Sequence, residues 1–565
     1  MFNMLCGAFL LALCGCAGGH ADSHAGVFEY NEIYLPGSGT KEAKHLGLDD
    51  LNSSWGLWGH NLGSVLPSHP YQTVYAKGPN IASHSQFCFM SDHLFEYISE
   101  YVRNNSSATR FAILPNDNVS VCQCAKCTDE GNTDDDASPA VFNMIRRLAA
   151  RFPDKIFFTS YYQTTRSLPD EPLPENVGVL ISTMEYPLCM VATPQEQSFL
   201  QLLDDWAEKT DRLYVWDYIN NFDDYFTPFP VFGIMQRRLQ LYAGAGVKGV
   251  FLNGSGPDYS AFSRVKMHVL AALLHDPQAD WRSQLPALCR KFYPVAGDAV
   301  SRFMLEQEDH VAERGKKLPL YEGVARARET YLPEAAFVAF YDELLSLLPK
   351  MEEAERTEME KLLGALSMTR LELLRIHGDT DGCADFVDRL ARFSEEVNYY
   401  NESCWSVSNY LRDYAFMLDR AAAAGDDNLL RGVRLTPLPP LDSDYSDISI
   451  LTDGLYGLPS NYHCGNLLSS ADYSLSIAVP YVKGMRRIRV GLTHNQAYRI
   501  ALPLRVGLFS GGNCIETIVP RKDPVNTGHS FVEFALPSSL SGTLVLTFVR
   551  NPEVHTMSID EIEAF

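Results

Sequence analysis

The feature that most constrains the fold is a series of short apolar segments that alternate with amphipathic segments between residues 111 and 253. The apolar segments have the length of buried strands, and the segments between them carry apolar residues at the 3.6-residue period of helices. One helix is predicted to begin at Thr193-Pro194-Gln195-Glu196, a capping box with proline in the first turn. Strands and helices that alternate at this spacing form parallel βα units. The predicted strands are residues 111–114, 156–161, 177–183, 213–216 and 249–252.

The number of strands predicts a barrel with a short beginning. If residues 249–252 are the eighth strand, the aromatic segment 55–58 is the third and residues 111–114 are the fourth. The N-terminal segment 17–50 must then supply the first two strands, and only residues 27–35 of it have a strand-like pattern. We therefore predict a (β/α)8-like, TIM-type barrel over residues 51–310 that is incomplete or open.

The chain changes character after the predicted barrel. Residues 311–433 contain long, charged segments with apolar stripes, which predict an antiparallel helical layer. Residues 434–565 begin with a proline-rich linker and continue as alternating strands and turns, which predict an antiparallel β-sandwich.

The first residues predict export and a lipid anchor. A short apolar core in residues 1–16 ends in Leu13-Cys14-Gly15-Cys16, which resembles a bacterial lipobox with Cys16 as the lipidated residue. An ordinary cleaved signal peptide is the alternative interpretation of the same pattern. Either interpretation places the mature chain outside the cytoplasm, and the first one anchors it to a membrane through the lipid.

The net charge excludes one class of partner. The chain has a formal net charge of -23, with 70 acidic residues against 47 Lys and Arg. A nucleic-acid partner requires clustered basic residues that neutralise phosphates, so we predict none. Motifs for phosphate cradles, zinc peptidases and nucleophile elbows are missing from the sequence, and we predict no cofactor.

Four cysteines surround a polar loop that follows the strand at residues 111–114. Cys122, Cys124 and Cys127 form a C-x-C-x-x-C pattern directly behind Asn116-Asp117, and Cys88 is a possible fourth member. Four thiolates suit a closed structural zinc site, whereas two disulfides would use the same sulfurs. The exported compartment favours disulfides, and the spacing alone does not decide.

Several motifs follow one another in order over about residues 50–310. They are Trp58-Gly59-His60, Gln86-Phe87-Cys88, Asn116-Asp117 with the cysteine pattern, Trp216-Asp217-Tyr218 with Asn221-Phe222, Pro228-Phe229-Pro230, and Gly246-Val247-Lys248-Gly249. This part of the chain resembles the bacterial exported proteins that are grouped as domain of unknown function 4838. The resemblance implies a glycoside hydrolase-like barrel, similar to the α-glucuronidase and β-hexosaminidase types, and a carbohydrate as substrate or ligand.

The final segment carries a second, weaker resemblance. Leu451-Thr452-Asp453-Gly454 at its start and Ile559-Asp560-Glu561-Ile562 at its end resemble galactose-binding-like jelly rolls of the discoidin type.

Members of the barrel family commonly begin with an α/β domain and a complete first part of the barrel, which this chain lacks. A non-catalytic carbohydrate-binding lipoprotein derived from such an enzyme is therefore the alternative to a glycosidase.

The implied chemistry requires two carboxyl groups near one sugar. One protonates the leaving oxygen, and the other acts as nucleophile or as base on water. We predict Asp117 as the acid, Asp217 as the nucleophile or base, and Glu185 as the alternate for either role, because each follows a predicted strand. Each could instead be a turn former or a surface residue. The predicted substrate-binding residues are His60, Trp58, Asn116, Tyr161, Tyr186, Asn221 and Asn253.

Overall fold

The computed structural model describes most of the chain after the N-terminal segment. The described residues are 26–79, 81–424, 427–441, 447–469, 474–521, 526–538, 542–552 and 556–565. The signal segment and the lipidation site predicted at Cys16 lie outside them. Within the described part of the chain, no helix combines the length and the apolar character needed to cross a bilayer.

A six-stranded parallel sheet forms the centre of the first half. Its spatial order is β1-β6-β5-β4-β3-β2, so the N-terminal strand β1 pairs with the last strand β6. Leu57 adds a single parallel bridge to Phe111 on the other edge. The strands are β1 (Tyr30–Tyr34), β2 (Arg110–Ala112), β3 (Ile156–Tyr161), β4 (Val177–Ser182), β5 (Leu213–Tyr218) and β6 (Gly249–Asn253).

Large aromatic side chains fill the concave side of this sheet. The Tyr30 ring lies 5.5 Å from the Tyr214 ring and 5.6 Å from the Trp55 ring, measured between centroids. Trp55 also contacts Phe158 at 5.1 Å, so side chains from both edges of the sheet meet inside it. The sheet is therefore curved around a common core, as in an incomplete barrel.

The sheet has fewer strands than the eight of a complete barrel, in agreement with the prediction of an incomplete or open one. β1 pairs directly with β6, which the sequence analysis counted as the eighth strand of a barrel. β1 therefore takes the place of the first strand. Among the described residues, no second strand lies between β1 and the Trp55–Leu57 segment, and the Tyr30 and Trp55 rings are in contact across this gap. The parallel sheet with flanking helices is confirmed, whereas a complete (β/α)8 barrel is not.

Helices cover the outside of the curved sheet. Thr193 caps one of them as predicted, with its hydroxyl accepting a 3.2 Å hydrogen bond from the Glu196 amide. The helix that begins at Ser138 has Ala137 at its N-cap position. The helices are α1 (Lys41–His45), α2 (Leu51–Ser54), α3 (Asp92–Asn104), α4 (Ala125–Glu130), α5 (Ser138–Arg151), α6 (Pro194–Ala207), α7 (Phe232–Gly244), α8 (Ser263–His275), α9 (Trp281–Phe292) and α10 (Gly297–Arg314).

Five further helices follow. The helical layer predicted over residues 311–433 is interrupted by the irregular stretch 394–406. This stretch carries Glu402 to the end of the sheet, as described below. The helices are α11 (Val324–Thr330), α12 (Glu334–Leu347), α13 (Glu353–Ile376), α14 (Cys383–Phe393) and α15 (Val407–Ala424).

The C-terminal part contains two antiparallel sheets, in agreement with the expected β architecture. One sheet has the order β13-β10-β15-β8 and the other β12-β11-β14-β9-β7. Alternate apolar residues from both sheets form one core. The strands are β7 (Thr436–Leu438), β8 (Leu467–Ser469), β9 (Leu475–Pro480), β10 (Arg487–Asn495), β11 (Arg505–Ser510), β12 (Asn513–Ile518), β13 (Thr527–Ala535), β14 (Thr543–Val549) and β15 (Met557–Ala564).

Candidate functional site

A pocket of about 180 Å³ lies at the carboxyl ends of the parallel strands. This is smaller than the roughly 300–1,000 Å³ typical of pockets for drug-sized ligands, so it suits a single small ring. The edges of β3, β4, β5 and β6 supply its base, and two loops of the helical part close one side. The lining residues are His60, Leu114, Asp117, Ser160, Tyr162, Leu180, Ser182, Met184, Trp216, Tyr218, Asn253, Tyr321 and Glu402.

Asp117 reaches this pocket from the loop after β2, as the sequence predicted. The loop is held by Gln86, whose side-chain oxygen accepts from the Asn116 amide at 2.9 Å and whose nitrogen donates to the Asn116 carbonyl at 3.0 Å. Asp117 itself stays exposed. Burial raises the pKa of Tyr162, which lines the pocket, and the Asp117 carboxylate raises it further. The charge of Asp117 therefore acts inside the pocket.

A second carboxyl group in the pocket was not predicted. Glu402 lies in the stretch between α14 and α15, and its amide donates to the Phe222 carbonyl at 2.9 Å. The neighbouring Tyr225 amide donates to the Tyr400 carbonyl at 2.8 Å, so two backbone bonds join this stretch to the loop after β5. A residue from the helical part is thereby fixed at the end of the parallel sheet.

The surroundings of Glu402 favour its protonated form. Although the residue keeps an exposed surface, partial burial of its carboxyl raises its pKa, and the nearby Asp117 and Asp223 charges raise it further. The Tyr321 phenol donates a 3.0 Å hydrogen bond to Glu402 Oε2 and opposes this shift. Asp117 and Glu402 are thus two carboxyl groups in one pocket whose environments differ.

Aromatic and hydroxyl groups provide the remaining surface. The Trp216 ring stacks on Trp58 with centroids 5.2 Å apart and an interplanar angle of 14°. Trp216 lines the pocket, whereas Trp58 packs among the aromatic residues inside the sheet. The Tyr218 hydroxyl lies 2.9 Å from the Ser182 hydroxyl, and burial raises the pKa of Tyr218. These groups offer a stacking face and hydrogen-bonding partners for a sugar ring.

His60 is oriented by the chain around it. Gly59 has a φ of 63°, a left-handed conformation that suits glycine and lets the chain turn between Trp58 and His60. The His60 ring lies 2.6 Å through Nδ1 from the Pro115 carbonyl oxygen. A carbonyl only accepts, so Nδ1 carries the hydrogen, and Nε2 is an acceptor whenever the ring is neutral.

Asp217 does not fit the predicted role of nucleophile or base. β5 continues to Tyr218, two residues beyond the predicted strand, so Asp217 lies within the strand and faces the side opposite to Trp216 and Tyr218. Its side chain is 0% exposed and accepts from the Thr183 hydroxyl at 2.7 Å and the Tyr218 amide at 2.8 Å. Arg238 forms an ion pair with it at 2.5 Å. Asp217 therefore fixes β5 to its covering helix.

Glu185 also lies outside the pocket lining. It is exposed and pairs with Arg166 at 2.8 Å on the surface.

The predicted substrate-binding residues divide into two groups. His60 and Asn253 line the pocket. The others do not line the pocket and make contacts within the fold; they are Trp58, Asn116, Tyr161, Tyr186 and Asn221. The Tyr161 ring packs edge-on to Trp206, the Tyr186 ring contacts Phe199 at 4.5 Å, and the Asn221 amide donates to the Glu322 carbonyl at 2.7 Å.

Two of the pocket residues that were not predicted, Glu402 and Tyr321, come from the helical part. A local signal existed for Glu402, because Tyr399-Tyr400-Asn401-Glu402 interrupts the apolar period of the predicted helix. For Tyr321, a surface tyrosine between two helices, we find no local signal.

The cysteine cluster is assembled as the spacing suggested. Cys88, Cys122, Cys124 and Cys127 converge behind the Asp117 loop, and their sulfurs all lie within 4.8 Å of one another. The structure contains them as free thiols.

Residues 60–305 match the family model described as Domain of unknown function (DUF4838). The resemblance recognised from the motifs is therefore confirmed over this part of the chain. No curated protein matches the chain.

Solved structures similar to the chain include carbohydrate-active proteins. One is a family GH115 4-O-methyl-α-glucuronidase with specificity for decorated arabinogalactans, at 13% identity and a TM-score of 0.41, covering 87% of this chain and 68% of that one. Another is CpGH89 from Clostridium perfringens in complex with GlcNAc-α-1,4-galactose, at 12% identity and a TM-score of 0.33, covering 57% and 36%. A third is the family 32 CBM from C. perfringens NanJ in complex with galactose, at 12% identity and a TM-score of 0.18, covering 24% and 97%.

Proposed function

We propose that the protein is an exported glycoside hydrolase that acts through Asp117 and Glu402. The observation that carries this proposal is the presence of both carboxyl groups in one pocket at the carboxyl ends of the parallel strands. Active sites of βα barrels are built at this edge. Hydrolysis of a glycosidic bond requires one carboxyl group that donates a proton and a second one that acts as nucleophile or base, and burial raises the pKa of Glu402 in the direction that suits the donor.

Glu402 is the group that suits the general acid. Partial burial and the Asp117 charge both favour its protonated form, which can donate a proton to the leaving oxygen. Asp117 then acts as nucleophile or as base on water. The sequence predicted Asp117 as the acid and Asp217 of β5 as the nucleophile or base. The proposal instead takes Glu402 of the helical part as the acid and gives Asp117 the second role.

The pocket surface favours a neutral sugar. The charge of Asp117 would repel a negatively charged ring in so small a pocket, so a uronic acid is disfavoured at this position. Trp216 offers a ring face for stacking, and His60 Nε2 and the Tyr218 hydroxyl offer hydrogen-bonding partners for sugar hydroxyls.

The remaining parts of the chain complete the proposal. The predicted lipidation of Cys16 would hold the enzyme on a membrane of the cell envelope, and the C-terminal β-sandwich would position the glycan. Cys16→Ser should remove lipid labelling and release the protein into the soluble fraction, whereas Cys14→Ser should leave it attached. Retention of lipid in the Cys16→Ser protein would contradict the anchor.

Hydrolysis by three variants tests the catalytic assignment. Wild-type protein is assayed against a panel of neutral glycans and against dinitrophenyl glycosides, whose leaving group needs no protonation. Asp117→Asn should lower the rate on both substrate types by about 10²–10⁴-fold. Glu402→Gln should lower it on glycans by a similar factor but much less on the dinitrophenyl glycosides, because only the glycan leaving group needs the acid.

Glu185→Gln is the matched control, since Glu185 is a carboxylate near the same edge that lies outside the pocket. Its rate should stay within about twofold of wild type, because Glu185 does not line the pocket and its ion pair with Arg166 is exposed. If wild-type protein cleaves no glycan but binds one in calorimetry, the alternative of a non-catalytic carbohydrate-binding lipoprotein replaces the hydrolase.

A further inference from the structure

The four cysteines behind the Asp117 loop are arranged around one point. Cys88 Sγ lies 3.7 Å from Cys124 Sγ and 3.7 Å from Cys127 Sγ. With Cys122 included, all four sulfurs lie within 4.8 Å of one another. Three of the four residues are buried, and Cys124 is partly exposed.

These separations match the edges of a metal tetrahedron. With zinc–sulfur bonds of about 2.3 Å, the sulfurs of a tetrahedral site lie about 3.8 Å apart. Two disulfides would instead bring the sulfurs together in two pairs at about 2.05 Å. In the structure, Cys88 Sγ is equally far from two other sulfurs and is not paired with one of them. We propose that Cys88, Cys122, Cys124 and Cys127 bind one Zn²⁺ in a closed structural site.

The backbone around the sulfurs is shaped for such a site. Cys124 occupies the N-cap position of α4 and Cys127 lies in its first turn, which brings these two side chains to the same side. The Cys127 amide donates to the Cys124 carbonyl at 2.9 Å and holds this turn. The Lys77 amide donates to Cys122 Sγ at 3.3 Å, a contact that compensates negative charge on a metal-bound thiolate.

The ion would join two segments that carry the catalytic loop. Cys88 follows Gln86, which holds both the amide and the carbonyl of Asn116. The Asn118 side chain donates to the Ser85 carbonyl at 2.8 Å. A metal between Cys88 and the 122–127 segment would therefore fix both ends of the loop that presents Asp117. The positioning role rests on the proposed function, whereas the metal site does not.

Metal and thiol content of the purified full-length protein, exported and isolated without reductant or chelator, test the proposal. Elemental analysis should find one zinc per chain. Alkylation after denaturation with a chelator, again without reductant, should label all four cysteines, as read by peptide mass spectrometry. A disulfide between any two of the four, iron in place of zinc, or metal-free protein with four thiols would each overturn the proposal.

A pair of variants assigns the zinc to this cluster. Cys122→Ser should lower the zinc content from one per chain to less than about a tenth, because three thiolates hold structural zinc far more weakly than four. Cys289→Ser changes a buried cysteine in α9, outside the cluster, and should keep the full zinc content. Full zinc content in Cys122→Ser would overturn the assignment.

A measurement on wild-type protein covers the case in which Cys122→Ser does not fold. Removal of zinc by a strong chelator should increase hydrogen exchange at residues 85–88 and 115–127 and leave exchange in the C-terminal sheets unchanged. Unchanged exchange in both regions after confirmed loss of the metal would overturn the loop-fixing role. This readout does not depend on catalysis, so it separates failure of the metal site from failure of the hydrolase proposal.

Discussion

The Tyr321 phenol donates a 3.0 Å hydrogen bond to Glu402 Oε2 at the edge of a pocket that also contains Asp117. Both residues of this pair come from loops between helices of the second part of the chain, whereas Asp117 comes from the parallel sheet. The pocket is therefore completed by the helical part. This explains how an incomplete barrel can still present two carboxyl groups to one ligand.

Removal of the Tyr321 hydroxyl should change the pH dependence of hydrolysis. The hydrogen bond stabilises ionised Glu402 and lowers its pKa, so Tyr321→Phe should raise that pKa. Because a general acid works below its pKa, activity is lost as the pH rises through that pKa. The alkaline limb of kcat/KM should therefore move to higher pH in Tyr321→Phe, while the rate at acid pH stays within about threefold.

The control for this prediction is Tyr71→Phe, which removes an exposed phenol that does not line the pocket. Its pH profile should coincide with that of wild type. An alkaline limb of Tyr321→Phe that stays in place or moves to lower pH would contradict the assignment of Glu402 as the acid.

Asp217 should matter for stability more than for chemistry. Asp217→Asn leaves Arg238 buried without its charge partner, and breaking a buried pair in this way costs about 3–5 kcal/mol. Glu185→Gln, which breaks an exposed pair with Arg166, should cost less than about 1 kcal/mol. Urea unfolding of both variants measures the difference. An Asp217→Asn protein of wild-type stability but without activity would restore Asp217 as a catalytic candidate.

Asp217 also shows where sequence information ends. The pattern correctly predicts a strand near residue 213 and the edge of the sheet that carries the site. It does not fix the last residue of the strand, and side chains alternate between faces. Because the predicted strand ended two residues too early, Asp217 was predicted as a nucleophile, although it is buried within the strand. Asp117 was placed correctly at the pocket because Pro115 and the polar residues after it indicate a loop, although β2 itself already ends at Ala112.

Glu402 shows the other kind of limit. Its place in the pocket depends on backbone bonds to Phe222 and Tyr225, which are distant in sequence and leave no periodic pattern. The cysteine cluster could be predicted more fully, because thiols are rare and the C-x-C-x-x-C spacing is local. Only Cys88 comes from a segment that is distant in sequence. Local chemistry was thus predictable, and contacts between distant segments were not.

Glu32 should give the folded protein a pH-dependent stability. It is 1% exposed, accepts from the Tyr30 hydroxyl at 3.0 Å and from the Leu51 amide at 3.1 Å, and burial raises its pKa from 4.5 to about 7. Because the folded state holds the proton more tightly, its contribution to stability is complete below pH 4.5. It is lost as the pH rises towards 7, by up to about 3 kcal/mol.

Glu32→Gln tests this, since the amide cannot ionise. The free energy of unfolding of wild type minus that of Glu32→Gln should fall between pH 5 and pH 7. Glu29→Gln, an exposed residue just before the same strand, should show no such change relative to wild type. Equal pH slopes for wild type and Glu32→Gln would show that Glu32 does not titrate in this range.

Trp216 should contribute to sugar affinity through its ring face, since it lines the pocket and is supported from behind by Trp58 at 5.2 Å. Trp216→Phe keeps an aromatic ring but reduces the stacking area, and we expect glycan affinity to fall about three- to tenfold. Trp206→Phe is the matched control, because Trp206 is fully buried in α6 away from the pocket. It should lower the free energy of unfolding and leave glycan affinity unchanged. Calorimetric titration with the best-bound glycan separates these outcomes, and an equal affinity loss in both variants would mean that Trp216 acts only through the stability of the aromatic core.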